Sequence, residues 1–290
     1  MEPIGLVEMS RGCTFRCDFC ALNRDRLGWS ERLPATVIRE VRWLAEHGVT
    51  TLQLIDQTLG LNRTATNALL DGFAEVRSAY PHMRIDILTR PEFVTPAFAA
   101  ALRRGGVTRC AIGMESMDAA SLSAQQKSLR PPATATAVRI LASAGIEAKL
   151  FHMLFPAHCS TETLRFLSAL AAEDIPFIVQ SSFLRGLAHR NSEPNFLKND
   201  HTVFVPAQDT VEQLMEWMLV NLAFPSMDVG DGGDPELRAV IAQACRNERP
   251  IASLFRTDEQ RQTLRLRTRT REYVYEHRDG QPAAACCTVA

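Results

Sequence analysis

The sequence lacks any long apolar run, and none approaches the roughly 20 residues a membrane-spanning helix needs. Its first apolar stretch, Ile4 to Met9, is too short for a signal-peptide core and has no basic lead-in. It also lacks a charge excess. With 32 basic and 33 acidic residues the formal net charge is −1, which excludes a strong electrostatic pull towards nucleic acid. Internal repeats and low-complexity tracts are absent. Apolar residues make up 46% of the 290 positions, enough to bury a sizeable core, which excludes global disorder. The expectation is a cytoplasmic, soluble protein with no nucleic-acid or membrane partner.

What is present is an uneven supply of cysteine. Eight cysteines stand at 13, 17, 20, 110, 159, 245, 286 and 287. A chain of this length without an export signal does not need disulfides, so clustered cysteines point to metal binding or catalysis. Cys13-x3-Cys17-x2-Cys20 places three thiolates in one loop, directly after the first predicted strand. Thiolates suit iron–sulfur clusters and zinc. A structural zinc site wants a fourth ligand, and the nearest histidine is His47. Three thiolates on a four-iron cluster leave one iron open to a small molecule.

Beyond the loop, helix and strand signals alternate. Helices are predicted at 34–47, 62–79, 95–104, 132–143 and 160–172. Strands are predicted at 51–56, 83–88, 107–114, 146–154 and 176–180. With Ile4 to Met9 this gives six strands and five intervening helices, hence a parallel α/β sheet with right-handed crossovers. Periodicity leaves two arrangements open, a partial (β/α)6 TIM-like barrel and a flat, doubly wound sheet. After Arg185 the pattern changes. Residues 186–209 are irregular, helices follow at 210–223 and 234–247, and the last forty residues read as a hairpin turning at 277–280. On that hairpin Arg265, Arg267, Arg269 and Arg271 fall on one face at period two. The expected organisation is a core at 1–185 and a C-terminal α/β extension at 186–290.

The stretch Ser10-Arg-Gly-Cys-Thr-Phe-Arg-Cys-Asp-Phe-Cys20 resembles the signature loop of the radical S-adenosylmethionine (SAM) superfamily, with Phe19 as the aromatic residue before the third cysteine. Gly113-Met-Glu-Ser116 resembles an element of the branch that holds cobalamin-dependent members and methylthiotransferase relatives. Leu54-Ile-Asp-Gln57, Thr89-Arg90-Pro91 and Phe155-Pro156 also fall where that branch has related residues.

The resemblance implies a partial barrel, a [4Fe–4S] cluster on Cys13, Cys17 and Cys20, and SAM as cofactor. It implies reductive cleavage of SAM to a 5′-deoxyadenosyl radical that takes hydrogen from a small-molecule, natural-product or peptide substrate. An electron donor such as flavodoxin or ferredoxin would serve it. It further implies that Phe19 packs on the adenine, that Glu115 and Ser116 meet the ribose, and that Asp56 receives the methionine ammonium. Arg90, after the third strand, would pair a substrate anion or lie in an exposed salt bridge. Cys286 and Cys287 would either reach the active site on a tail or sit exposed. His152 reads as a packed histidine, and Cys110, Cys159 and Cys245 as ordinary thiols. Twelve residues ahead of Cys13 leave no room there for a cobalamin-binding domain. Two rival readings follow, a methyl- or group-transfer enzyme using separately supplied cobalamin, and an iron–sulfur sensor without turnover.

Overall fold

The computed structural model describes residues 3–20, 28–154, 161–183, 211–226, 233–258, 263–278 and 281–288. The chain divides into two compact units, Met1–His152 with Asp174–Ile178, and Met153–Glu173 with Val179–Ala290. Among the described residues no helix is long and apolar enough to cross a membrane.

The first unit opens with β1 (Ile4–Val7), a short pair β2 (Ser10–Arg11) and β3 (Ser30–Glu31), and α1 (Pro34–Glu46). Pro34 supplies a preformed first helical turn, and Val37, Val41 and Ala45 recur at four-residue spacing as its buried stripe. Gly48, at φ +83°, releases the chain into β4 (Thr51–Leu54). The next helix, α2 (Arg63–Ala79), is capped by the Asn62 side chain, which accepts from the amide of Ala65 at 3.2 Å. Gly72 lets α2 lie directly on α1, because a Cβ there would meet Cδ1 of Ile38 at 2.1 Å. β5 (Arg84–Thr89), α3 (Pro96–Arg104), β6 (Val107–Glu115), α4 (Ala119–Ala124), α5 (Pro131–Ser143) and β7 (Glu147–Leu154) continue the alternation.

After α6 (Thr161–Ala172), β8 (Phe177–Phe183) completes a six-stranded sheet in the order β1-β4-β5-β6-β7-β8. The ladders from β1 to β7 are parallel. A doubly wound sheet would reverse its strand order at a switch point. Here spatial order follows chain order throughout, which decides for the partial barrel. Strand β6 is buried on both faces from Cys110 to Glu115, as a central parallel strand should be. Each fully buried Leu, Ile or Phe in this core contributes about 1.5–3 kcal/mol.

In the second unit, α7 (Val211–Ala223) and α8 (Pro235–Arg246) pack together, followed by β9 (Phe255–Asp258), β10 (Thr263–Arg267), β11 (Arg271–Arg278) and β12 (Gln281–Thr288). These four strands form an antiparallel sheet in the order β12-β11-β10-β9. Asp234 caps α8 and also accepts a short hydrogen bond from the Tyr273 hydroxyl on β11. Glu236, in the first turn of α8, accepts from the Thr270 amide and hydroxyl at 3.1 and 2.8 Å. That Thr268–Thr270 turn corrects the reading of a continuous arginine face. Arg265 and Arg267 stand on β10, Arg269 is in the turn, and Arg271 begins β11. Four strands, rather than the two of a single hairpin, fill the last forty residues.

Candidate functional site

The cysteine loop leaves the end of β1 under tight control. The amides of Met9 and Ser10 each donate to Asp56 at 2.7 Å, one to each carboxylate oxygen, and the Ser10 hydroxyl donates to the same group. Asp56 is only 1% exposed. Burial pushes its carboxyl up, and the hydrogen bonds from Ser10 and Met9 oppose that rise. Both oxygens of Asp56 thus accept from the root of the loop.

Gly12 then turns the chain at φ +86°, a conformation open to glycine, immediately before Cys13. The Cys20 amide closes back on the Cys17 carbonyl at 3.0 Å, and the Asp18 amide donates to the Gln125 carbonyl at 2.9 Å. Cys17 is buried, whereas Cys13 and Cys20 are half-buried, and none of the three is in a disulfide. Cys13 Sγ lies 3.7 Å from the Thr58 hydroxyl. Among the described residues no three His, Cys, Asp or Glu side chains converge as a cage for one ion. A cubane cluster needs no such cage, because each thiolate binds a different iron.

Two buried cations face Cys17. Burial pushes its thiol up, while the charges of Lys127 and Arg90, and a hydrogen bond from Arg90, pull it down. Arg90 Nη1 stands 3.9 Å from Cys17 Sγ. The same guanidinium donates from Nε to Glu92 at 2.7 Å and from Nη2 to the Ser128 carbonyl at 3.2 Å, and it lies 3.6 Å over the Phe15 ring. At 5% exposure, Arg90 is not an exposed salt bridge, which corrects that expectation. Its partners are the loop and its surroundings.

Lys127 pairs with Glu115 at 2.9 Å, with both side chains buried, and its ammonium stands 5.7 Å over the Phe19 ring. The pair explains Gly113. A Cβ there would fall 2.6 Å from Lys127 Nζ and 2.7 Å from Glu115 Oε1. The β6–β7 register shifts between Gly113 and Glu115, and Glu115 itself adopts φ +59°. A bulge and a left-handed residue at the strand end re-aim this carboxylate at Lys127. Ser116 is buried beside it and accepts from the Asp118 amide at 3.0 Å, while Asp118 caps α4.

The structure therefore brings Cys17, Phe19, Arg90 and Glu115 into one neighbourhood and sets Asp56 at its root. His152 is buried at the end of the sheet's fifth strand, as expected of a packed histidine. Cys286 and Cys287 sit on β12 opposite Tyr273 and Glu272 in the ladder. Their side chains, and all of Cys159, lie outside the described residues, as does Phe155-Pro156.

Lys127 escaped the sequence reading. Its signal was indirect. A carboxylate at the end of a buried strand needs a cation, and Arg109, Lys127 and Arg130 are the basic residues between 107 and 130.

Comparison with known proteins follows the same residues. The pattern of the Radical SAM superfamily matches residues 7–167. The ribosomal protein uS12 methylthiotransferase RimO of Streptomyces coelicolor is 36% identical over 115 residues, covering 33% of this chain and 23% of that one. The chain thus spans about a quarter of the length of the curated relatives it matches first. Among solved structures, the radical SAM methyltransferase TsrM of Kitasatospora setae, with cobalamin and a [4Fe–4S] cluster bound, superposes with a TM-score of 0.55 at 23% identity. It covers 64% of this chain and 37% of that one. Methylornithine synthase (PylB) superposes with a TM-score of 0.51 at 13% identity, covering 83% of this chain and 68% of that one. Both likenesses bear on the fold.

Proposed function

Since the chain belongs to the radical SAM superfamily, whose members use a [4Fe–4S] cluster and SAM, we propose that this enzyme takes a hydrogen atom from a small-molecule, natural-product or peptide substrate. When bound, cluster and SAM together supply the reductive cleavage that yields a 5′-deoxyadenosyl radical. The donor set fits such a cluster. Three thiols stand on one loop, and two cations oppose the burial of Cys17.

Cys13, Cys17 and Cys20 would hold the cluster. Phe19 would pack on the adenine. Glu115, oriented by Lys127, would accept from ribose hydroxyls, with Ser116 beside it. Asp56 would act through the loop, by fixing where β1 ends and the cysteines begin. Residues 1–185 would form the catalytic core, and 186–290 a C-terminal extension.

The observation that carries this reading is Lys127. It meets Glu115 of the Gly-Met-Glu-Ser element and Phe19 of the cysteine loop at once. Two motifs separated by about ninety residues are thereby parts of one site.

A second reading, methyl or methylthio group transfer, is favoured by the 36% identity to a methylthiotransferase. One experiment separates the two. Protein reconstituted anaerobically with iron and sulfide is given SAM and titanium(III) citrate, and products are read by mass spectrometry beside Cys17→Ala. 5′-Deoxyadenosine without S-adenosylhomocysteine, lost in the variant, supports hydrogen abstraction alone. S-Adenosylhomocysteine as the dominant product supports group transfer. Neither product, from protein that carries a four-iron cluster, overturns both.

A further inference from the structure

Arg90 is held on every side that the structure describes. Phe15 lies under its plane, Glu92 takes Nε, the Ser128 carbonyl takes Nη2, and Nη1 points to Cys17 Sγ at 3.9 Å. Buried guanidinium groups rarely stand without a reason, because desolvation is costly. Structural anchoring alone is a poor reason here. Glu92 lies two residues away on the same segment, and the loop is already fastened through Asp56 and Gln125. What Arg90 adds is a fixed positive charge and an N–H directed at one sulfur.

We propose that Arg90 is a positioning residue that sets the reduction potential of the cluster through Cys17, with Glu92 as its counterweight. The inference rests on the reading that Cys17 is a cluster ligand.

The electrostatic argument is direct. Reduction adds one electron, delivered by an external one-electron reductant, and makes the cluster more negative by one charge. A neighbouring cation and a hydrogen bond to a ligand sulfur favour the more negative state, so they raise the potential. Glu92 partly cancels the guanidinium charge and lowers it again. Lys127 adds a second cation, but its ammonium is committed to Glu115 at 2.9 Å. A delocalised planar cation over a ring also resists substitution by lysine, which lacks the fork and the stacking face.

The test is potentiometry of the reconstituted cluster without SAM, followed by electron paramagnetic resonance of the reduced state. Iron content is measured on the same samples. Arg90→Gln is expected to move the midpoint to lower potential, with Arg90→Lys between it and wild type. Glu92→Gln keeps an acceptor for Nε while removing the opposing charge, and is expected to move the midpoint upward. Loosened packing would not shift two neighbouring variants in opposite directions.

If Arg90→Gln lowers iron content, the remaining clusters still report a potential. A wild-type midpoint in that fraction, or in a fully loaded variant, overturns the inference. Cys17→Ala tests the premise separately. If it retains the wild-type cluster signal, the ligand reading fails, and this proposal fails with it. Shifted midpoints in Arg90→Gln and Glu92→Gln, with the signal lost in Cys17→Ala, support both.

Discussion

Each unit buries an aspartate that takes several donors at once, and the two carboxyls are driven in opposite directions. In the first unit, Asp56 anchors the cysteine loop, and burial outweighs its hydrogen bonds and pushes it up. In the second, burial of Asp234 acts the same way. There the Tyr273 hydroxyl, the amides of Glu236 and Leu237, and Arg271 prevail and hold the carboxyl below its usual range. The contrast extends to the neighbours. The first unit buries Asp56, Arg90, Glu115 and Lys127 around one loop. The second also buries Glu216 and Asp234, and it uses Asp234 and Glu236 to cap a helix and fasten a turn to it.

The largest effect should come from breaking the buried pair of the first unit. Lys127→Met leaves the Glu115 carboxylate uncompensated and should cost about 3–5 kcal/mol in urea unfolding. The double variant Lys127→Met/Glu115→Met should recover part of that loss, because the orphan charge is gone. In the second unit, Tyr273→Phe removes one hydrogen bond to a carboxylate and should cost less, about 1.5–3 kcal/mol. An equal loss in both would erase the contrast.

Next in size is Gly72→Ala. Its Cβ would meet Ile38 at 2.1 Å, and overpacking of this kind costs about 1–3 kcal/mol. Thermal melts would show it, with SAM cleavage per folded molecule unchanged.

The two aspartates then sharpen the comparison through pH. A raised native pKa gives Asp56 a contribution that is complete below the ordinary aspartate value and lost as pH rises through the raised one. A lowered native pKa gives Asp234 a contribution that is complete above the ordinary value and lost as pH falls through the lowered one. Melting temperatures of Asp56→Asn and Asp234→Asn, taken against wild type from about pH 3 to pH 7, should therefore show gaps of opposite slope. Parallel slopes would remove the distinction between the units. The smallest effect belongs to Arg104→Ala. Its pair with Asp71, at 3.1 Å, is more than 60% exposed on both sides and should change stability by less than about 1 kcal/mol.

Regular, periodic elements were legible in the sequence. The six strands of the sheet and the helices between them were found because each is long enough to show its period and is closed by a cap, such as Asn62, Thr95 or Gly48. The three cysteines and the Gly-Met-Glu-Ser element were legible because their chemistry is local. The pair β2–β3 was not, since two residues per strand carry no alternation. Nor was α4, six residues held by the Asp118 cap. The strand order that decided between barrel and open sheet is a tertiary fact that local periodicity cannot hold. The same is true of the partners. Asp56 near the β1 end and Arg90 at Cys17 meet through the parallel order of the strands, and Lys127 reaches Glu115 from beyond α4.

The fastening of the cysteine loop has a consequence for metal binding. The amides of Met9 and Ser10 are tied to Asp56, and the Asp18 amide is tied to Gln125. All of these ties are made by protein atoms alone. The conformational entropy of these anchor points is thus lost to protein–protein ties. Less ordering is left for cluster binding itself to meet. Loss of the cluster to oxygen should leave the tied loop able to be refilled, without sending the chain back through folding.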